Sequence, residues 1–148
     1  MTPREEIDLL LRVVTRLAEK QLEKGGFIPF GAVLGANREV QLLMPGGWKK
    51  DSTRDEVENY WYAELRKHAA KVDCKCVCFC ADVGVPIESG GYLLAVNVYI
   101  EHPQAEAANL FYQYSQNPGP QVSFGQPITV KTDHQVFSNP QSPTPECA

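Results

Sequence analysis

A chain of 148 residues, 43% hydrophobic and 22% charged, has the size and balance of one ordinary globular domain. Those values exclude a disordered chain, and at this length a core can form without a disulfide or metal staple. The net charge of −4 is unevenly spread: residues 1–72 carry +1 and residues 73–148 carry −5. A nucleic-acid partner requires clustered cations, and the nearest candidate, Lys49-Lys50, is too small.

The opening MTPREEIDLLL does not read as a secretory signal. The longest apolar run, Tyr92 to Ile100, is broken by Asn97 and falls far short of the roughly 20 residues of a membrane span. No membrane partner is expected. Five cysteines, four of them within seven residues, form no disulfide framework, so a reducing cytoplasm is the expected compartment.

The first element is a helix. Thr2 can cap it, Pro3 suits its first position, and Glu5 stands where a capping box needs it. Ile7, Leu10, Leu11, Val14, Leu17, Ala18 and Leu22 recur at spacings of three and four, and Gly25-Gly26 closes the segment. Phe27 to Leu34 reads as a strand, with Pro29 marking its first residues or an edge. A turn at Gly35-Ala36-Asn37-Arg38 leads to a partner strand over Glu39 to Met44. A loop from Pro45 to Lys50 precedes a second helix, capped by Ser52 and running to about Ala70. Its face carries Val57, Tyr60, Trp61, Leu65 and His68.

Lys75 to Val83 is the third strand, a loop covers Gly84 to Gly91, and Tyr92 to His102 is the fourth strand. A fifth strand lies near Leu110 to Tyr114, with a short one at Val122 to Phe124. Residues 1–137 therefore read as one domain, and 138–148, with three prolines, as a flexible tail. The order α-β-β-α-β-β-β with hairpin connections implies an α+β, two-layer domain. Its sheet is expected to have about five strands, mainly antiparallel, with both helices on one face.

The segment Phe27-x-Pro29-Phe30-Gly31-Ala32-Val33-Leu34 after a long helix resembles a motif of small bacterial proteins of uncharacterised function. Ala81-Asp82-Val83 and Glu101-His102 match further on, so the likeness spans about residues 5–115. It implies a stand-alone α+β domain and brings no activity or catalytic residue with it. The element order is also similar to profilin-like and roadblock-type domains, which use a sheet as a binding platform; that likeness is topological only.

Cys74, Cys76, Cys78 and Cys80 alternate along one strand and so form a single row of thiols. Neighbours in that row are about 6.6 Å apart and the row spans about 20 Å. Tetrahedral zinc cannot be reached by all four, since each sulfur must lie about 2.3 Å from the metal. Cysteine serves here as a small apolar residue, and no metal or other cofactor is expected. The opposite face of the strand, with Val77 and Phe79, is also apolar, which calls for a second covering layer or a second copy of the chain.

Asp82, Glu101 and His102 fall at opposite ends of a hairpin and form no dyad, so they read as satisfied surface charges. His68 reads as a packed histidine, and nothing pairs with His134. Tyr60, Trp61 and Tyr62 spread through about 200° of a helix, so at least one must leave the core. No catalytic residue is assigned. The candidate interaction surface is Trp48, Tyr60, Tyr62, Val77 and Phe79. The expected function is a non-catalytic binding or protein-interaction module that associates with itself or with a protein partner. The alternative is a thiol-dependent redox or zinc-binding protein using the Cys74–Cys80 strand.

Overall fold

The computed structural model describes residues 1–46, 52–71, 73–114 and 122–137. Helix α1 spans Pro3–Glu23, and its start is the expected capping box: Thr2 accepts from the Glu5 amide while the Glu5 carboxylate accepts from the Thr2 amide. Helix α2 spans Arg54–Ala69 and is capped by Thr53 instead of Ser52. Glutamate stands three residues after Thr53, at Glu56, and its carboxylate accepts from the Thr53 amide. That reciprocal pairing favours the threonine over its neighbour.

Six strands follow the chain: β1 Phe30–Gly35, β2 Val40–Leu43, β3 Cys74–Pro86, β4 Tyr92–Glu101, β5 Ala107–Gln113 and β6 Ile128–Thr132. They form one sheet in the order β2-β1-β3-β4-β5-β6, antiparallel at every pairing. The α+β class and antiparallel sheet agree with expectation, with one strand more than the five foreseen. Strand β1 starts after Pro29, which has no N–H for the ladder. Strands β3 and β4 stay paired as far as Pro86 and Tyr92, so the expected eight-residue loop shrinks to the turn 87–91. Gly90 and Gly91 supply its left-handed backbone, at φ 92° and 81°.

The last strand is Ile128–Thr132, and Val122 to Phe124 is not a strand. The Val122 and Phe124 amides instead donate to Glu23 and Glu19 on α1, both at 2.8 Å. Two glutamates on one helix thus do for this segment what a neighbouring strand would have done.

Helix-on-sheet packing occurs on both faces, one helix each, where the sequence reading placed both helices together. Helix α1 lays Ile7, Leu10, Val14, Ala18 and Leu22 on a face formed by Cys76, Cys78, Cys80, Val96, Val98, Ile100 and Leu110. Helix α2 lays Val57, Trp61 and Leu65 on the other face, over Val33, Val77 and Phe79. The aromatic packing there is close enough to dictate a glycine. A Cβ at Gly31 would stand 2.7 Å from the Trp61 ring, so only glycine lets the indole lie on β1. Among the described residues no helix is long and apolar enough to cross a membrane.

Candidate functional site

The face beneath α2 is divided between two coverings and an open part. Helix α2 packs on β3 and β1. Beyond it, over β4 and β5, the chain returns after β6 and residues 133–137 cross the sheet. Of the rest of the face, Asn97 and Phe111 lie under Arg54 of α2, while among the described residues neither α2 nor the return segment covers Ile128 and Val130.

Glu101 holds the return segment. Its carboxylate is fully buried and accepts from the amides of Gln135 at 2.8 Å, Val136 at 3.0 Å and Phe137 at 2.6 Å, and from the Tyr99 hydroxyl. Arg66 on α2 donates to the Gln135 carbonyl at 2.8 Å, and Val136 closes the core beside Tyr99 and Ala107. A buried carboxylate needs such a set of donors to offset its lost hydration. Burial and the adjoining Glu101 charge push the Tyr99 phenol well above its usual range.

His102 is equally enclosed, at 1% exposure. Its Nδ1 accepts from the Gln104 amide at 3.0 Å, which places the ring proton on Nε2, 2.9 Å from Glu6 on α1. The His134 ring donates through Nε2 to the His102 carbonyl at 2.9 Å. Glu101 and His102 are therefore not surface charges, contrary to expectation. They are buried because β4 runs under both α1 and the return segment, contacts between distant parts of the chain. Their hydrogen bonds are committed to structure, which leaves neither poised as a general acid or base. Asp82 is exposed and pairs across the sheet with Val96, far along β4 from Glu101, as the hairpin geometry implies.

The thiol row behaves as packing. Cys76, Cys78 and Cys80 are fully buried against α1, and burial pushes the Cys76 and Cys78 thiols well above their ordinary value of 9.0. Cys74, at the strand's start, is pushed up to about 11 by the same cause. All four are free thiols. Among the described residues no group of three or more His, Cys, Asp or Glu side chains could hold a metal ion.

The expected contact surface is dispersed. Val77 and Phe79 are at most 1% exposed, because α2 of the same chain covers them; they cannot meet a partner. Tyr62 is half-buried, its ring edge-on to Phe79 and Tyr99 and its hydroxyl donating to Glu58 at 3.3 Å. Desolvation, followed by the Glu58 charge, pushes its phenol up to about 12. Tyr60 is half-buried and its hydroxyl accepts from the Gly46 amide at 2.8 Å, tying the preceding loop to α2. Trp48 lies outside the described residues. His68 is half-buried on α2, and desolvation lowers its pKa.

What sequence reasoning missed is the open part of the face. Ile128 and Val130 are 56% and 51% exposed, and every residue of β6 is exposed. On the same side of the sheet a cleft of about 300 Å³, floored by β3 and by Asn97 of β4, runs under the first turn of α2. Arg54 reaches across it, its guanidinium carbon 5.9 Å from the centre of the Phe111 ring. Asn97 lines the cleft at 2% exposure, its side-chain amide donating to Asn109 Oδ1 at 3.1 Å. The one sequence signal was Asn97, a polar residue in the middle of an otherwise apolar strand. No protein-family model, no curated protein and no solved structure matches this chain.

Proposed function

We propose that the protein is a non-catalytic interaction module that associates with a second copy of itself through the free edge of β6. The observation that carries this reading is β6 itself: a five-residue terminal strand, exposed throughout, with two bare β-branched apolar side chains. Among the described residues no strand pairs with its outer edge. Such an edge is a template for pairing, and Lys131 is the one charged side chain within the strand that opposes it. Two identical edges meeting antiparallel give a two-fold arrangement, which joins the Ile128 and Val130 stripes of both copies on one face. The sheet association expected from sequence is thus moved from a face to an edge, since each face has a helix of its own. Buried thiols with raised pKa values favour this reading over the thiol-dependent alternative. The free cysteines support a reducing, cytoplasmic setting.

Light scattering on size-separated protein tests it. A dimer is expected for the parent chain and a monomer for Val130→Lys, whose unfolding free energy should differ by no more than about 0.5 kcal/mol because the site is exposed. A parent chain that stays monomeric at high micromolar concentration sinks the proposal.

A further inference from the structure

Helix α1 packs on β3, β1 and β4 and stops short of the edge strand β2. Val40 and Leu42 of β2 face the α1 side; Leu42 is 45% exposed, and Met44 just beyond the strand is 63% exposed. Between β2 and the flank of α1 runs an open groove of about 700 Å³, with Val13 and Leu17 on its helical wall. It lies where a second helix would pack if the α1 layer continued over β2. Its charge is mainly of one sign. Arg12 and Arg16 stand one turn apart in its lining, both exposed. Arg12 makes no ion pair among the described residues, and Arg16 reaches Glu19 only at 3.9 Å. Glu19 is the one carboxylate of the lining, and its other oxygen already accepts from the Phe124 amide at 2.8 Å. Of the neighbouring acids, Asp8 is paired with Arg4, Glu5 caps the start of α1, and Glu39 lines the opposite side of β2.

We propose that this groove takes an amphipathic helix of a partner protein, one with carboxylates along its flank. The partner's aliphatic stripe lies on Val13, Leu17, Val40 and Leu42, and carboxylates three or four residues apart meet Arg12 and Arg16. Guanidinium groups offer the forked donors that carboxylates favour. A concave groove between a helix and a strand suits a cylinder of about 10 Å diameter, and the plane of a bilayer does not enter it. A second copy of this chain is the poorer occupant, since through this groove it brings two more arginines and no carboxylate but Glu19. The inference rests on the reading of the protein as an interaction module, but not on its self-association: β2 and β6 are opposite edges of the sheet.

The test is an NMR titration of the full chain with a synthetic helical peptide of about four turns, leucine on one stripe and glutamate on both flanks. Saturable shifts are expected at Val13, Leu17, Val40 and Leu42, and at the Arg12 and Arg16 Nε–H. A twin peptide with lysine for every glutamate should bind about 10-fold more weakly or worse. The same loss is expected for the glutamate peptide on the double variant Arg12→Gln, Arg16→Gln, whose spectrum should match the parent outside the groove because both sites are exposed. Val130→Lys, made to break the β6 contact, should bind the peptide as the parent does, which separates this proposal from self-association. Absence of saturable shifts at millimolar glutamate peptide overturns the proposal, as does equal binding of the lysine peptide or a set of shifts centred on β6. Vesicles of phosphatidylserine and phosphatidylcholine that pellet the parent chain but not the arginine variant would make the groove's rim a membrane contact, and would overturn it too.

Discussion

The two faces of this sheet solve the burial problem in different ways. The α1 face is an aliphatic and thiol surface, with Cys76, Cys78 and Cys80 in a row, covered along its length by one amphipathic helix. The α2 face is aromatic and polar: Trp61, Phe79 and Tyr99 pack beside a buried Glu101 and a buried Asn97. On the first face the cover is apolar area, which is non-directional, with carboxylates of α1 bonding His102 and the amides of Val122 and Phe124. On the second, directional hydrogen bonds recruit residues 133–137 as a further covering element and leave the β6 end open. A face covered by one regular helix is closed over β1, β3 and β4, whereas a face assembled from pieces leaves Ile128 and Val130 exposed.

The largest break in that contrast should come from Glu101→Ala. The change strands one buried and two part-buried backbone amides and the Tyr99 hydroxyl, for an expected loss of about 3–5 kcal/mol in urea unfolding. Hydrogen exchange should also quicken at residues 135–137 before it does so on the α1 face. If exchange there matches the rest of the sheet, Glu101 is not what holds the segment.

A smaller loss is expected on the α1 face from Cys78→Ser, which is nearly isosteric. Burying the more strongly polar hydroxyl, with only the Cys80 thiol and the Ala32 backbone beside it, should cost about 1–3 kcal/mol. Cys78→Ala should remain nearer 1 kcal/mol, the cost of a small cavity. Equal effects of serine and alanine would mean that the row is not a dry apolar surface.

The smallest effect is on pH dependence. The Cys74, Cys76 and Cys78 thiols have folded-state pKa values above 9.0, Cys74 at about 11. A group whose folded pKa is raised contributes stability that is complete below its unfolded value and lost as pH rises through the folded value. The urea midpoint should therefore hold steady up to about pH 9 and fall above it. In the native protein at pH 8 a thiol reagent should find Cys76, Cys78 and Cys80 unreactive until denaturant is added. Rapid labelling of all three without denaturant would refute the packing account.

Much of the fold was legible because its signals are local. The Thr2–Pro3–Glu5 start of α1 and its 3.6-residue stripe need no tertiary information, and neither does the alternation that puts the four cysteines on one side of β3. Strand β6 was missed because its Ile-Thr-Val-Lys-Thr pattern is short, and Val122 to Phe124 offered a rival in which neither amide could be assigned a partner from sequence. The candidate surface failed at Val77 and Phe79 for a plain reason: a strand apolar on both faces requires two covers, and local pattern does not say whether the second is a helix of the same chain or another copy. Glu101 and His102 looked like strand-end charges, since a carboxylate with three amide donors from 34 to 36 residues away leaves no mark near position 101.

From the sequence alone came the class of the fold, the antiparallel habit of its strands and the apolar role of the thiol row, all of which rest on backbone geometry and spacing. The tertiary structure alone decided that the helices take opposite faces, that Glu101 anchors the returning chain, and that Arg54, Glu58 and Asn97 meet in one cleft. Those outcomes depend on contacts between residues far apart in the chain, where side-chain shape and hydrogen-bond partners, not periodicity, choose among arrangements of similar apolar burial.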